Sequence, residues 1–462
     1  MTTMLDSTNT DTFRDRIDGE LILPSDPAYD TARKVWNARF DPRPAALVRC
    51  RSAADVVAAI ELAREHRLPV SVRGGGHSYA GLGVGDGALA IDLSPMDDVV
   101  IDAEGRTATV GPGATWADFD RTAQAHGLAT TGATVSSVGV AGFALGGGTG
   151  YLARRHGLGV DNVLSLEVVT ADGRVLRASN DEHADLFWAL RGGSGNFGVV
   201  TSFEFRLHPV GPDVVTAQSW HPIEDARAVL RFYREFMESA SEDVTVYAFA
   251  LRVPPVEPFP AEHHGSPALA LVACHCGDVE EATKSLERLT TFGNPILAGV
   301  QTVPYTAAQQ AFDAGMPDGL RWDTRGHYLN ELDEDAIETF AKHVESLTGP
   351  YTAAYFEPLG GAIGRVASDA TAFPHRDAAY GLHILPGWIE ASDGDGAMRW
   401  MRELHDAMAP HATGGVYVNL LGRDEADRVP AAYGANYARL AGLKAKYDPG
   451  NLFRVNQNIT AG

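Results

Sequence analysis

Cysteine, lysine and long apolar runs are what this chain has least of. Its 462 residues include three cysteines, too few for a disulfide framework. Cys274 and Cys276 lie in Leu271-Val272-Ala273-Cys274-His275-Cys276, a strand-like stretch that puts both sulfurs on one face. Buried thiols are expected there, because a metal site would want more ligands at suitable spacing. No apolar run reaches the roughly 18 residues needed to span a bilayer. Residues 1–12 are polar and lack a basic segment followed by an apolar one, which predicts no signal peptide, no membrane anchor and a cytoplasmic location. Only five of the 38 basic residues are lysine, against 60 acidic residues, for a net charge of −22. That balance argues against a nucleic acid or an anionic membrane as partner, since either needs a basic face. A lysine-poor, acidic surface fits a salt-adapted proteome and a GC-rich genome about equally.

Several motifs are missing too. Gly146-Gly147-Gly148-Thr149-Gly150-Tyr151 fails the G-x-G-x-x-G dinucleotide fingerprint at its sixth residue, and the run from Gly83 to Gly87 fails as well. There is no G-x-x-x-x-G-K-[ST] phosphate loop, no H-E-x-x-H and no G-x-S-x-G. Rossmann, P-loop, zincin and serine-hydrolase readings are therefore disfavoured.

What is present is glycine in two places. Arg73-Gly74-Gly75-Gly76-His77-Ser78-Tyr79 follows a short strand at 68–72. Three bare glycines let the backbone approach a ligand closely, with N–H groups free to face an anion. A histidine follows at once. About sixty residues on comes Val138-Gly139-Val140-Ala141-Gly142-Phe143-Ala144-Leu145-Gly146-Gly147-Gly148-Thr149-Gly150. Two such loops suit a dinucleotide whose pyrophosphate lies between them.

The rest of the first 208 residues reads as α+β. Ser52-Ala53-Ala54-Asp55 opens a helix over 52–66, and a second helix covers 115–126 with Asp118 three residues after its cap. Hairpins are predicted around 103–106 and 171–174, in place of regular βαβ repeats. From about Pro209 the texture changes to aromatic strands (245–251, 268–274, 351–356, 381–385) alternating with amphipathic helices (223–239, 280–291, 334–347). These predict one antiparallel sheet backed by helices. A charged helix over 428–447 leads into the tail.

Taken with Asp185-Leu186-Phe187-Trp188-Ala189-Leu190-Arg191-Gly192-Gly193, Asn196-Phe197-Gly198-Val199-Val200-Thr201 and Tyr447-Asp448-Pro449-Gly450-Asn451-Leu452-Phe453-Arg454-Val455-Asn456-Gln457-Asn458, the two loops resemble the berberine-bridge-enzyme-like flavoproteins of the vanillyl-alcohol oxidase / p-cresol methylhydroxylase superfamily. The resemblance covers nearly the whole chain. It implies a two-part FAD-binding domain of the p-cresol methylhydroxylase type, residues 1–208 and 421–462, around an antiparallel substrate domain, 209–420. It implies FAD held by Arg73, Gly74, Gly75, Gly76, Ser78, Ser137, Val138, Gly139, Gly142, Gly146, Gly147, Gly148, Val200, Asn456 and Asn458, and bonded covalently through His77. Many family members add a second bond from a cysteine just before the Val-Gly motif. That position is Val135 here, so a single linkage is expected. A valine at 138 goes with oxidase behaviour in the family, making O2 the second substrate.

For catalysis the resemblance offers Tyr328, Tyr417 and Asn419, with Tyr417 and Asn419 expected on one strand face. The family's second tyrosine, often its base, is Leu420 here. That puts a tyrosinate base in doubt and favours a substrate that is already partly deprotonated. Glu357, His383 and Trp388 are further candidates. The expected activity is oxidation of a small alcohol, amine, alkaloid, polyketide-type molecule or sugar hydroxyl with release of H2O2. A dehydrogenase on the same scaffold and a flavin-binding protein without turnover are the rival readings.

Overall fold

The strand leading into the first glycine loop is an edge strand of a four-stranded sheet. In the computed structural model, which describes residues 12–461, that sheet runs Glu20–Ile22, Ala46–Arg49, Leu89–Asp92, Val70–Arg73. Residues 1–11, on which the leader reading rests, lie outside the described residues. The last three strands pair in parallel, and helix Ala53–Glu65 makes the crossover between Ala46–Arg49 and Val70–Arg73. The hairpin-only expectation for this region is thereby corrected. Strand Leu89–Asp92 inserts between the other two, and its buried Leu89, Ala90 and Ile91 give the continuous apolar run of a sheet covered on both faces. Ser52 caps the crossover helix by accepting from the Asp55 N–H at 3.3 Å. Asp55 does not close the capping box, because its carboxylate takes the N–H groups of Asp18 and Arg51.

Both predicted hairpins form. Val99–Asp102 pairs with Thr107–Val110 and Val163–Val169 with Val175–Ser179, and Val199–Arg206 joins them into a five-stranded antiparallel sheet. Helix Trp116–Gln124 packs against it, held at its start by a reciprocal Thr115–Asp118 capping box. The predicted C-terminal helix is two helices, Val429–Tyr433 and Tyr437–Tyr447. Gly434, at φ +47°, breaks the ladder between them in a conformation glycine adopts without strain.

A seven-stranded, wholly antiparallel sheet makes up the middle of the chain. Its order is Leu297–Pro304, Asp213–Pro222, Pro267–His275, Val244–Arg252, Ala353–Pro358, Tyr380–Leu385, Arg325–Leu329. Period-2 alternation decides its two faces. Val244, Val246, Ala248 and Ala250 join the core beneath helices Ala226–Ser239, Glu334–Val344 and Gly394–Met408. Tyr247 and Phe249 therefore point to the opposite face. Cys274 and Cys276 are buried with their sulfurs 3.7 Å apart, on one side as expected. No helix among the described residues is long and apolar enough to cross a membrane.

The tail is fastened by one buried cation. Lys444, fully buried, donates to Asp448 at 2.7 Å and to the Asn196 and Phe453 carbonyls at 2.9 and 2.8 Å. Burial pushes its pKa down, and Asp448 opposes that shift. Lys444→Met keeps the apolar stem but leaves Asp448 uncompensated. It is expected to cost about 3–5 kcal/mol, read as a lower midpoint in urea unfolding.

Candidate active site

The two glycine loops meet backbone to backbone. A Cβ on Gly75 would lie 2.5 Å from Gly139 Cα and 2.6 Å from Gly139 N, and one on Gly139 would lie 2.5 Å from Gly75 N. Gly74 faces the Pro112 carbonyl in the same way, at 2.6 Å. Only glycine permits this contact, and it opens the head of a long cleft lined by both loops, residues 194–200, the tail at 453–457 and the substrate-sheet face.

His77 sits where the loops join. Its Nε2 is 2.9 Å from Ser137 Oγ, and its ring stacks on Trp36 at 4.4 Å and 23°. Trp36 stacks in turn on Trp322. Burial pushes the His77 pKa down to about 4, against a weaker upward pull from Asp318 and Asp313. The imidazole is therefore neutral at physiological pH and keeps a nucleophilic lone pair. The second loop is pinned by the middle segment, where Asp313 accepts from Ser136 N at 2.8 Å and Ser136 Oγ at 2.6 Å.

Gly74, Gly75, Gly76, His77, Ser78, Val138, Gly139, Gly142, Val200, Asn456, Tyr417 and Asn419 all line the cleft, and Ser137 reaches it through His77. Arg73 also lines it, but its guanidinium is taken up by Asp92 and the Ala32 and Lys34 carbonyls. Three predicted glycines stand elsewhere. Gly146, Gly147 and Gly148 end helix Val140–Gly146, and are small because Asn419, Phe373 and Phe143 pack against them. Asn458 and Tyr328 do not line the cleft either. Tyr328 is buried among Leu158, Ile363 and Phe373 with His375 4.7 Å from its ring. Trp388 belongs to a separate two-stranded pairing with Arg321–Trp322.

Tyr417 and Asn419 correct a second expectation. They are not on a strand: residues Val418–Leu420 form a 3-10 turn. The Tyr417 hydroxyl accepts from Gly148 N and from Asn419 Nδ2, both at 3.0 Å. Burial nonetheless holds its pKa well above the ordinary tyrosine range, so it is a neutral phenol. Leu420 is buried, its Cδ1 3.4 Å from where a Cβ on Gly326 would lie.

The substrate sheet supplies the titratable pair. His383 Nε2 lies 3.1 Å from Glu357 Oε2. Glu357 also accepts from Thr149 Oγ1 at 3.0 Å and Tyr247 OH at 3.3 Å. Both partners are 5% exposed. A carboxylate at that distance favours the proton on Nε2, and His383 Nδ1 is buried with no partner. The His383 side chain lines the cleft beside Glu357, and an imidazole backed by a carboxylate is a candidate proton acceptor.

Sequence reasoning missed Trp36, Tyr247, Phe249, Met316 and Tyr355. The alternation over 244–252 signals Tyr247 and Phe249. Nothing local signals Trp36, which reaches His77 only through the tertiary fold.

The cradle fits FAD. Gly74, Gly75 and Gly139 leave backbone in place of side chains along the cleft head, and Asn456 brings a buried Oδ1 with no donor to its wall.

Residues 44–179 match the family model described as an FAD binding domain, and residues 416–460 the one described as berberine and berberine like. The chain is 31% identical over 451 residues to the FAD-linked oxidoreductase YgaK of Bacillus subtilis, covering 96% of this chain and 97% of that one. It is 30% identical to the chitooligosaccharide oxidase of Gibberella zeae, covering 92% and 89%. The crystal structure of 6-hydroxy-D-nicotine oxidase from Arthrobacter nicotinovorans superposes with a TM-score of 0.86 at 28% identity, over 96% of this chain and 98% of that one.

Gly75→Ala forces the loops apart and is expected to lower stability by about 1–3 kcal/mol, seen as a reduced melting temperature. Gly142→Ala, where a Cβ meets nothing within 4 Å, is expected to cause no loss.

Proposed function

The chain belongs to the FAD-linked oxidoreductases of the berberine-bridge-enzyme-like family, and from that premise we propose that it is an oxidase of a small organic molecule using O2 as electron acceptor. When bound, FAD takes a hydride from a substrate C–H and returns two electrons to O2 as H2O2. The observation that carries the reading is the Glu357–His383 pair on the cleft wall, with Nδ1 of His383 unpartnered. In this reading the His383–Glu357 pair takes up the proton from the substrate's O–H or N–H. Glu357 stabilises the imidazolium through Nε2–H. The role the resemblance gave to a tyrosine at 420 thus passes to a histidine on the neighbouring sheet. Tyr417 and Asn419 orient the substrate. Tyr328, behind Phe373, supports them without touching it. Residues 1–208 and 421–462 hold the cofactor and 209–420 the substrate. Val138, on the cleft wall beside Gly139, supports access for O2.

We assign His77 as the single covalent anchor. Its neutral imidazole is the nucleophile, Ser137 and Trp36 hold its ring, and Val135 supplies no second thiol. Acid-precipitated protein is expected to stay yellow, and His77→Ala to lose its colour on precipitation. A colourless wild-type pellet would end the covalent assignment. With its pKa held near 4, His77 is neutral throughout pH 5.5–7.5, so attachment of FAD to apoprotein is expected at nearly constant rate across that range. A histidine titrating at about 6.5 would give a roughly tenfold rise.

For the base, His383→Gln is expected to slow anaerobic flavin bleaching by substrate about 10²–10⁴-fold while the protein stays yellow. An unchanged rate removes His383 from the mechanism. Oxygen consumption with H2O2 formation during turnover tests the oxidase assignment. Bleaching by substrate without reoxidation by air would instead mark a dehydrogenase.

A further inference from the structure

The first glycine loop does not by itself fix where its histidine points. Gly74, Gly75 and Gly76 leave the backbone before His77 permissive, with Gly76 at φ +75°. The bond to Ser137 Oγ holds one ring nitrogen and leaves the ring free to turn about that bond. A column of aromatic rings removes this rotation. Trp36 covers the His77 face at 4.4 Å and 23°, and Trp322 stacks on Trp36 at 5.6 Å and 10°. Both indole N–H groups are buried without an acceptor, so stacking, and not a hydrogen bond, sets these rings in place.

The column crosses from one segment of the chain to another. Residues 36–38 form a bracket between the loop and the middle segment. Trp36 N donates to the Gly76 carbonyl at 3.3 Å, and Ala38 N to the Leu320 carbonyl at 2.9 Å. Asn37, fully buried, donates through Nδ2 to the Tyr79 carbonyl at 2.7 Å and the Trp322 carbonyl at 3.0 Å, and its Oδ1 accepts from Trp322 N at 2.9 Å. One amide therefore joins the loop that carries His77 to the strand that carries Trp322. The middle segment builds a socket for that indole. Trp322 is buried, packs with Leu320 and Tyr351, and would collide with any side chain on Gly387.

We infer that Trp322 is a positioning residue for covalent attachment of the flavin: through Trp36 it sets the ring of His77, so that the bond forms once residues 320–322 have docked on the first loop. This rests on His77 being the covalent anchor. In that step the imidazole exchanges its N–H for an N–C bond to the 8α carbon of the isoalloxazine, which gives up one hydrogen. Two protons and two electrons pass to the isoalloxazine, and O2 takes them up as H2O2. Trp322 acts through Trp36 and not on the reacting atoms; it lowers the orientational cost of bringing them together.

Attachment of FAD to apoprotein, followed as acid-stable yellow colour at saturating FAD, tests it. FAD affinity is measured separately, by fluorescence quenching before attachment. Trp322→Leu is expected to slow attachment about 10–100-fold with FAD affinity within about threefold of wild type. Trp322→Phe, which keeps a ring in the socket, is expected to restore the rate to within about threefold of wild type. Trp36→Leu is expected to slow attachment as Trp322→Leu does, and it carries the test if Trp322→Leu fails to fold. Attachment at the wild-type rate in either folded leucine variant overturns the inference and leaves the covalent assignment standing. A loss of rate matched by an equal loss of FAD affinity also overturns it, since a loosened cleft would give that. A wild-type protein that turns colourless on acid precipitation removes the covalent assignment itself, and the inference with it.

Discussion

The contact between Gly75 and Gly139 is the constraint on which the site depends. Two loops sixty residues apart in sequence approach so closely that neither can carry a Cβ. That approach brings Ser137 to His77 and leaves a channel walled by backbone. A side chain at either position would push the loops apart and open the imidazole to water. His77 would then regain an ordinary pKa and be partly protonated near neutrality. Close packing here therefore has an electrostatic consequence, because the desolvation that accompanies it keeps the histidine neutral.

The loops are held from outside by three independent ties. Arg73 and the buried Asp92 lock the strand end that feeds the first loop. Burial pushes the Asp92 carboxyl up, but its bonds to Arg73 and Ser94 bring it below the usual carboxylate range. Asp313, from the middle segment, fixes Ser136 in the second. Lys444 gathers Asn196, Asp448 and Phe453, so the tail and the 194–200 segment move as one wall. Each tie joins stretches distant in sequence. The cleft is a property of the assembled chain, and no single loop contains it.

That distribution explains what could be read from the sequence. Local signals worked well. The capping residues Ser52 and Thr115, the hairpin turns and the alternation of the substrate strands each have a cause within a few residues, and each produced its predicted element. Glycine was ambiguous. Gly74, Gly75 and Gly139 mark a backbone–backbone approach at the cleft. Gly146, Gly147 and Gly148 mark close packing by Asn419, Phe373 and Phe143, and the letter is the same in both cases. At Val418–Leu420 the resemblance implies a strand, and the chain forms a 3-10 turn. Its actual conformation follows from the Tyr417 hydroxyl reaching Gly148, a bond spanning 269 residues. Trp36 lay beyond sequence reasoning for the same reason.

Leu420 brings the chemistry together. A tyrosine there would place a phenol beside Gly326, opposite His383. Leucine makes that corner apolar, which under the proposed function leaves the proton-accepting role to the histidine. A histidine base needs its proton held on the far nitrogen, and the Glu357 carboxylate 3.1 Å from Nε2 favours that tautomer. Glu357 in turn would be an uncompensated buried charge without the Thr149 and Tyr247 hydroxyls and the His383 N–H around it. Thr149 comes from the second glycine region and Tyr247 from the substrate sheet. The carboxylate beside His383 thus also fastens the two halves of the cleft to each other, through the Thr149 and Tyr247 hydrogen bonds and the 3.1 Å contact with His383.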